Sequence, residues 1–266
     1  MIAEASFGPI FAALAAAQAD SAARSLARRR NRHLAVHAAR KAIRRLRSIL
    51  CLCEDALGPE VAGIDRSCKR LARSLSGLRD AHVAAVTARD LASADDDDLW
   101  RTAAAWLEDR RERLLGASLA ADPDFRRRRS RLDLLAKAVL ALPWDRLAMH
   151  HLREGIARSR HRVARARQAS ELAPSHARRH RWRRRLRRLR MQLQAIQDAA
   201  GSAPTLDELA AGKGHASIRA LRKQSNALGR LQDLRLLETS LKMADQSLPL
   251  ALLRDRVRAE RRRLST

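Results

Sequence analysis

The pattern H-x-x-R-x-x-x-R-R-L-R occurs twice in this chain, 143 residues apart, once from His37 to Arg47 and once from His180 to Arg190. On an α-helix turning ~100° per residue, His37, Arg40, Arg44 and Arg47 fall within about 80° of one another and form one stripe. His33, Lys41 and Arg45 widen that stripe, while Ala35, Ala39, Ile43, Leu46 and Leu50 lie opposite as a bundle-core face. The second copy repeats both faces. His180, Arg183, Arg187 and Arg190, flanked by His176 and Arg184, oppose Trp182, Leu186, Leu189 and Leu193.

The repetition extends past the motif. Leu75-Ser-Gly-Leu78-Arg-Asp80 recurs as Leu228-Gly-Arg-Leu231-Gln-Asp233, and Arg66, Lys69 and Arg70 match Arg219, Arg222 and Lys223. These matches lie at an offset of 153, so the second copy carries about ten extra residues, which fit the turn-rich stretch Gly201 to Gly214. An internal duplication with a loop insertion accounts for the pattern, with halves at 1–142 and 143–266.

Ala, Leu and Arg dominate, and β-branched and aromatic residues are too sparse for strands, so an all-α fold is expected. Seven prolines punctuate helices near 9–30, 33–57, 60–92, 97–120, 124–141, 145–170, 175–199, 215–243 and 249–264. The run Asp95 to Asp98 belongs at a helix start, where acids complement the dipole, and is not expected to hold a metal.

Net charge is +26, from 55 Lys plus Arg against 29 Asp plus Glu, and it calls for an anionic partner. Only six of the 55 are lysines, so the excess is almost entirely guanidinium, the planar fork that grips phosphate bidentately. Cys51, Cys53 and Cys68 make no full disulfide set, and neither zinc nor an oxidising compartment is expected. The short apolar stretch Ile10 to Ala17 lacks a basic flank, and no apolar run approaches the ~20 residues of a spanning helix. A cytoplasmic protein without cofactor is expected.

A single exposed arginine is ordinary surface. A whole stripe is not, because like charges at i, i+4 each cost ~0.2–0.5 kcal/mol and no acid interrupts either stripe. Other helices follow suit, with Arg66, Lys69, Arg70 and Arg73 on one face and Arg158, Arg162 and Arg165 on another. Asp80 and Asp233, placed alike in the two copies, are expected to orient arginines. Rows of arginine on several helices build a groove whose focused field suits a long polyanion.

The paired H-x-x-R-x-x-x-R-R-L-R helices, each followed by a Leu-rich segment ending in Arg-Asp or Gln-Asp, resemble the CHAD family, the conserved histidine α-helical domain. The resemblance spans nearly the whole chain. It implies two four-helix bundles related by pseudo-twofold symmetry, basic helix faces around a central groove or cavity, binding of inorganic polyphosphate, and association with polyphosphate granules. Carried over by matching positions, the binding residues are His37, Arg40, Arg44, Arg45 and Arg47 with His180, Arg183, Arg187, Arg188 and Arg190. The helices bearing Arg66, Lys69, Arg70, Arg219, Arg222 and Lys223 correspond to the family's other basic helices. One departure is Met191 after Arg190, where such proteins often have Tyr. Many relatives also carry a triphosphate-tunnel enzyme domain upstream, for which these 266 residues leave no room.

Nucleic-acid binding would suit a charge of +26 equally, but only three Phe, four Trp and no Tyr are present to stack bases, and no helix-turn-helix, RNA-recognition or zinc signature occurs. An enzyme of phosphate esters or anhydrides would want metal-holding carboxylates, a Gly-rich phosphate loop or a nucleophile beside a base. None stands out. His150, His151, Glu154 and His161 are expected to decorate a solvent-facing helix, and no membrane partner is expected because the apolar faces are needed for bundles.

Overall fold

A computed structural model of the chain describes residues 7–95, 98–206, 209, 217–244 and 248–264. Among them all regular structure is helical: α1 (Gly8–Ala27), α2 (Arg32–Leu52), α3 (Glu54–Leu57), α4 (Glu60–Ser74), α5 (Ser76–Asp95), α6 (Asp98–Ala121), α7 (Arg126–Leu140), α8 (Met149–Leu172), α9 (His176–Ala200), α10 (Ile218–Leu241) and α11 (Leu250–Arg263). The all-α expectation therefore holds. No described helix is long and apolar enough to cross a membrane. Asp98 stands in the first turn of α6, as the dipole favours. Asp96, Asp97 and most of the Gly201 to Gly214 insertion lie outside the described residues.

Two expected helices are divided. The span 33–57 becomes α2 and α3, with Cys53 at φ −98°, ψ 9°, and the span 60–92 becomes α4 and α5, with Leu75 at φ −102°, ψ 2°. Neither break point is Gly or Pro. At Leu75 the flanking serines compete for the helix carbonyls: Ser74 Oγ donates to Leu71 O at 2.8 Å and Ser76 Oγ to Ala72 O at 3.2 Å. Leu75 itself is fully buried, so tertiary packing holds the bend that propensity alone would not produce.

The helices gather round two apolar clusters. The larger contains Phe11, Leu26, Ile43, Leu46, Leu50, Phe125 and Leu132 together with Leu152, Leu186, Leu193 and Ile196, so α1, α2, α4 and α7 share it with α8 and α9. The smaller packs Ala84, Ala85, Ala88, Trp100, Ala103 and Leu107 of α5 and α6 against Leu234, Leu237, Leu241, Leu253 and Val257 of α10 and α11. Each cluster draws on both sides of position 142, so the two stretches carrying the motif copies interlock. At Gly155 of α8, a Cβ would come within 2.3 Å of the Leu52 carbonyl oxygen, so the close passage of α8 over the end of α2 requires glycine. The net result for the site is that α2 and α9, which carry the motifs, pack directly against each other.

Candidate functional site

The apolar faces of α2 and α9 turn into the larger cluster, which leaves their arginine stripes directed toward each other and toward α5 and α10. Ser48 on α2 touches Met191 on α9, its Oγ donating to Sδ at 3.8 Å, and these two residues match at the motif offset of 143. One turn earlier, the matching arginines Arg44 and Arg187 line a common crevice with Arg47, Arg184 and Arg188. Among the described residues neither Arg44 nor Arg187 has an acidic partner, and Arg44 Nε is buried without a hydrogen bond.

Electrostatics follow from that crowding. Desolvation, then the charges of Arg187, Arg40, Arg79 and Arg183, push Arg44 down to about 9. Desolvation and the charges of Arg183, Arg79, Arg190 and Arg40 push Arg187 down to about 10. Six arginines, from α2, α5 and α9, thus share one partly desolvated centre. Its internal acids are Asp80 and Asp233, which Arg79 bridges at 2.9 and 3.5 Å. Burial raises the Asp233 carboxyl above its usual range even though Arg183 and Arg79 pull it down.

Flanking arginines are anchored in matching ways. Arg40 donates to Ala72 O and, at 2.9 Å, to Ser76 Oγ, using the carbonyl freed by the break at Leu75. Its counterpart Arg183 donates through Nε to Ser225 O at 3.4 Å, and Ser225 matches Ala72 at the second offset of 153. Gly229 makes room for this contact, since a Cβ there would lie 2.9 Å from Arg183 Nη2.

Histidines form a second layer. His176 Nε2 and His180 Nδ1 lie 2.7 and 3.1 Å from Gln232 Oε1. On the first copy, His33 stacks on His82 with centroids 5.4 Å apart and pairs with Glu112 at 3.0 Å. Desolvation, followed by the charges of His33, Arg111, His37 and Arg89, holds His82 down at about 4. His37 is lowered by desolvation and by Arg44, Arg79, Lys41 and Arg40, and His180 by desolvation and Arg184, against the hydrogen bond it makes to Gln232 Oε1, which raises it.

The other expected site residues divide into three groups. Lys41, Arg45, Arg190 and Arg222 lie close enough to act on one another: Arg45, then burial, Arg190 and Arg222 lower Lys41, and burial, then Arg222 and Arg45 lower Arg190, while none of the four forms an ion pair with an acid among the described residues. Arg47 and Lys69 are instead taken by Asp65 at 2.6 and 2.7 Å. Arg158 and Arg162 face the acids of α3, Arg158 pairing with Asp55 and Arg162 with Glu54 at 3.7 Å, and both Arg162 and Arg188 donate to Cys51 Sγ. Arg66, Arg70, Arg73, Arg165, Arg219 and Lys223 are exposed on α4, α8 and α10, with Arg70 donating to Ser67 Oγ at 2.9 Å. His151 accepts the Ala148 N–H at 3.2 Å and so caps α8, and no group of three metal-ligating side chains gathers among the described residues.

Four members of the central layer were not among the expected binding residues: Arg79, His82, Gln232 and Asp233. Arg79 and Gln232 precede the paired aspartates within the repeated Leu-rich segments, so repetition marks them. His82 has no counterpart signal.

Comparison with known proteins places this geometry. No curated protein matches the sequence. The crystal structure of the CHAD domain from the plant Ricinus communis is similar at a TM-score of 0.73 and 18% identity, covering 99% of this chain and 89% of that one, which establishes a shared fold. The CHAD domain family model matches residues 10–242, from α1 through α10 and so across both motif helices, and the chain belongs to the CHAD domain family.

Proposed function

We propose that this chain binds inorganic polyphosphate without turning it over. One observation carries the proposal: Arg44 and Arg187, the matching arginines of the two motif copies, meet in a partly desolvated centre with no acid partner among the described residues. Crowded cations of this kind destabilise the free protein, and an anion of high charge density supplied from outside relieves them. Guanidinium pairs on facing helices suit successive phosphates, each held by bidentate, charge-assisted hydrogen bonds. Guanidinium supplies neither nucleophile nor base, so such a site binds rather than reacts. Polyphosphate binding is also the activity for which CHAD domains are known, and family membership supports it here.

In this proposal an internal duplication built the groove from two related helix faces, and the protein associates with polyphosphate granules through it. A side-by-side affinity measurement for long polyphosphate, tripolyphosphate, heparin and duplex DNA at physiological salt tests it. Long polyphosphate binding tightest at equal phosphate concentration is expected, with strong weakening as salt rises. DNA displacing polyphosphate would instead favour a nucleic-acid-binding protein.

A further inference from the structure

Matching the two copies residue by residue exposes an imbalance in the site. At the offsets of 143 and 153, Lys41 matches Arg184, Arg45 matches Arg188, Arg190 matches Arg47, and Arg222 matches Lys69. All eight are cations. They divide into two lobes. In one, Arg45 lines a crevice that touches Met191, with Lys41, Arg190 and Arg222 close enough to act on one another's charge. In the second, Arg47, Arg184 and Arg188 share a separate crevice beside Ser48 and Met191, with Lys69 joined to Arg47 through Asp65.

Among the described residues, an acid forms ion pairs only within the second lobe. Asp65 accepts from Arg47 Nε at 2.6 Å and lies 2.7 Å from Lys69 Nζ, and it lines one pocket together with Glu54, Cys51, Arg47 and Arg188. The positions matching Asp65 and Glu54 are Ile218 and Gln197, which carry no charge. Asp198 shares a crevice with Arg45 but is held by Gln194 at 3.0 Å, and makes no ion pair with Arg45. In the first lobe, Arg190 Nε is buried without a hydrogen-bond partner.

We propose that the site is polarised: Asp65 occupies the phosphate-binding capacity of Arg47 and Lys69 in one lobe from within the protein, and the lobe of Lys41, Arg45, Arg190 and Arg222 is the anchoring subsite for a short run of phosphates. The inference rests on the polyphosphate reading and adds to it a direction. A carboxylate paired with two cations is a competitor at contact distance, and a phosphate entering that lobe must displace it. In the other lobe, among the described residues, no ion pair needs to be broken, since Asp198 is held by Gln194 rather than by Arg45. A tripolyphosphate therefore occupies one end of the groove, and a longer chain runs from there across Arg44 and Arg187 toward the neutralised end.

Calorimetric titration of the full chain with tripolyphosphate and with long polyphosphate tests the polarity, with circular dichroism melts to show that each variant is folded. Arg190→Gln with Arg222→Gln is expected to weaken tripolyphosphate binding about twentyfold or more, the scale of two charge-assisted hydrogen bonds, and the matching pair Arg47→Gln with Lys69→Gln by about threefold or less. Asp65→Asn is expected to raise the tripolyphosphate stoichiometry from about one toward about two per chain, as the freed lobe becomes a second subsite. If Asp65→Asn does not fold, the reverse transplant Gln197→Glu with Ile218→Asp carries the same test and is expected to weaken short-chain binding. Equal losses from the two lobes, or no effect of moving the acids while long polyphosphate still binds, would overturn the polarity alone. Failure of the unaltered chain to bind long polyphosphate would overturn the underlying function.

Discussion

Arg79 Nη2 lies 3.5 Å from Asp233 Oδ1, joining α5 to α10 across 154 residues of sequence, while the other arm of the same guanidinium holds Asp80 at 2.9 Å. One arginine therefore ties together the two aspartates that the repeats place alike. It also contributes to the field that lowers Arg40, Arg44, Arg183 and Arg187. Arg79→Met should leave two carboxylates short of a partner and lower stability by about 1–3 kcal/mol. Urea unfolding midpoints measure this, and an unchanged midpoint would show that the bridge contributes nothing.

Arg44 and Arg187 carry the opposite expectation. Arg44→Met keeps the apolar stem and removes a crowded charge, so the free protein should gain about 1 kcal/mol while polyphosphate affinity drops. The pairing of higher stability with weaker binding is the mark of a functional strain. Thermal melts with and without polyphosphate read both quantities, and a variant that loses stability would place Arg44 among the structural groups.

Protonation should couple to binding. His37, His82 and His180 are all held below the usual histidine value, His82 at about 4, so they are largely neutral in the free protein near pH 7. A base whose folded pKa is lowered binds fewer protons folded than unfolded, so these groups make stability fall as pH drops from the unfolded value near 6.5 toward about 4. A bound polyanion reverses the field, draws protons onto the histidines, and gains affinity over the same fall in pH. Titrations between pH 8 and pH 5.5 should show tighter binding toward acid, with free-protein melts moving down. Affinity independent of pH would remove the histidines from the site.

Gly229 gives a local test of the second copy. An alanine Cβ there meets the far end of Arg183, which can move, so Gly229→Ala should fold normally yet bind polyphosphate several-fold more weakly. Wild-type affinity in a folded variant would show that Arg183 need not rest against Ser225.

Much of this was legible in the sequence. Fold class follows from composition, and the two basic stripes follow from 3-4-3 spacing, because both depend on local periodicity that burial then preserves. The breaks at Cys53 and Leu75 were not legible, since no Gly or Pro marks them, and at Leu75 the hydroxyls of Ser74 and Ser76 and the burial of Leu75 hold the bend. Nor was the division of the arginines. Arg47 looks like its stripe-mates until Asp65 arrives from α4, and Arg158 and Arg162 look like a binding row until α3 presents Glu54 and Asp55. Such pairings are made between helices, and spacing along one helix carries no trace of them.

Arg44 and Arg187, which form no ion pair among the described residues, are the heart of the proposed phosphate-chain site. Its most direct test is the affinity of the Arg44→Met, Arg187→Met double variant for long polyphosphate at physiological salt, with circular dichroism to confirm the helical fold. A loss of about a hundredfold or more is expected, in a protein at least as stable as the unaltered chain. Undiminished affinity in that folded double variant would contradict the assignment.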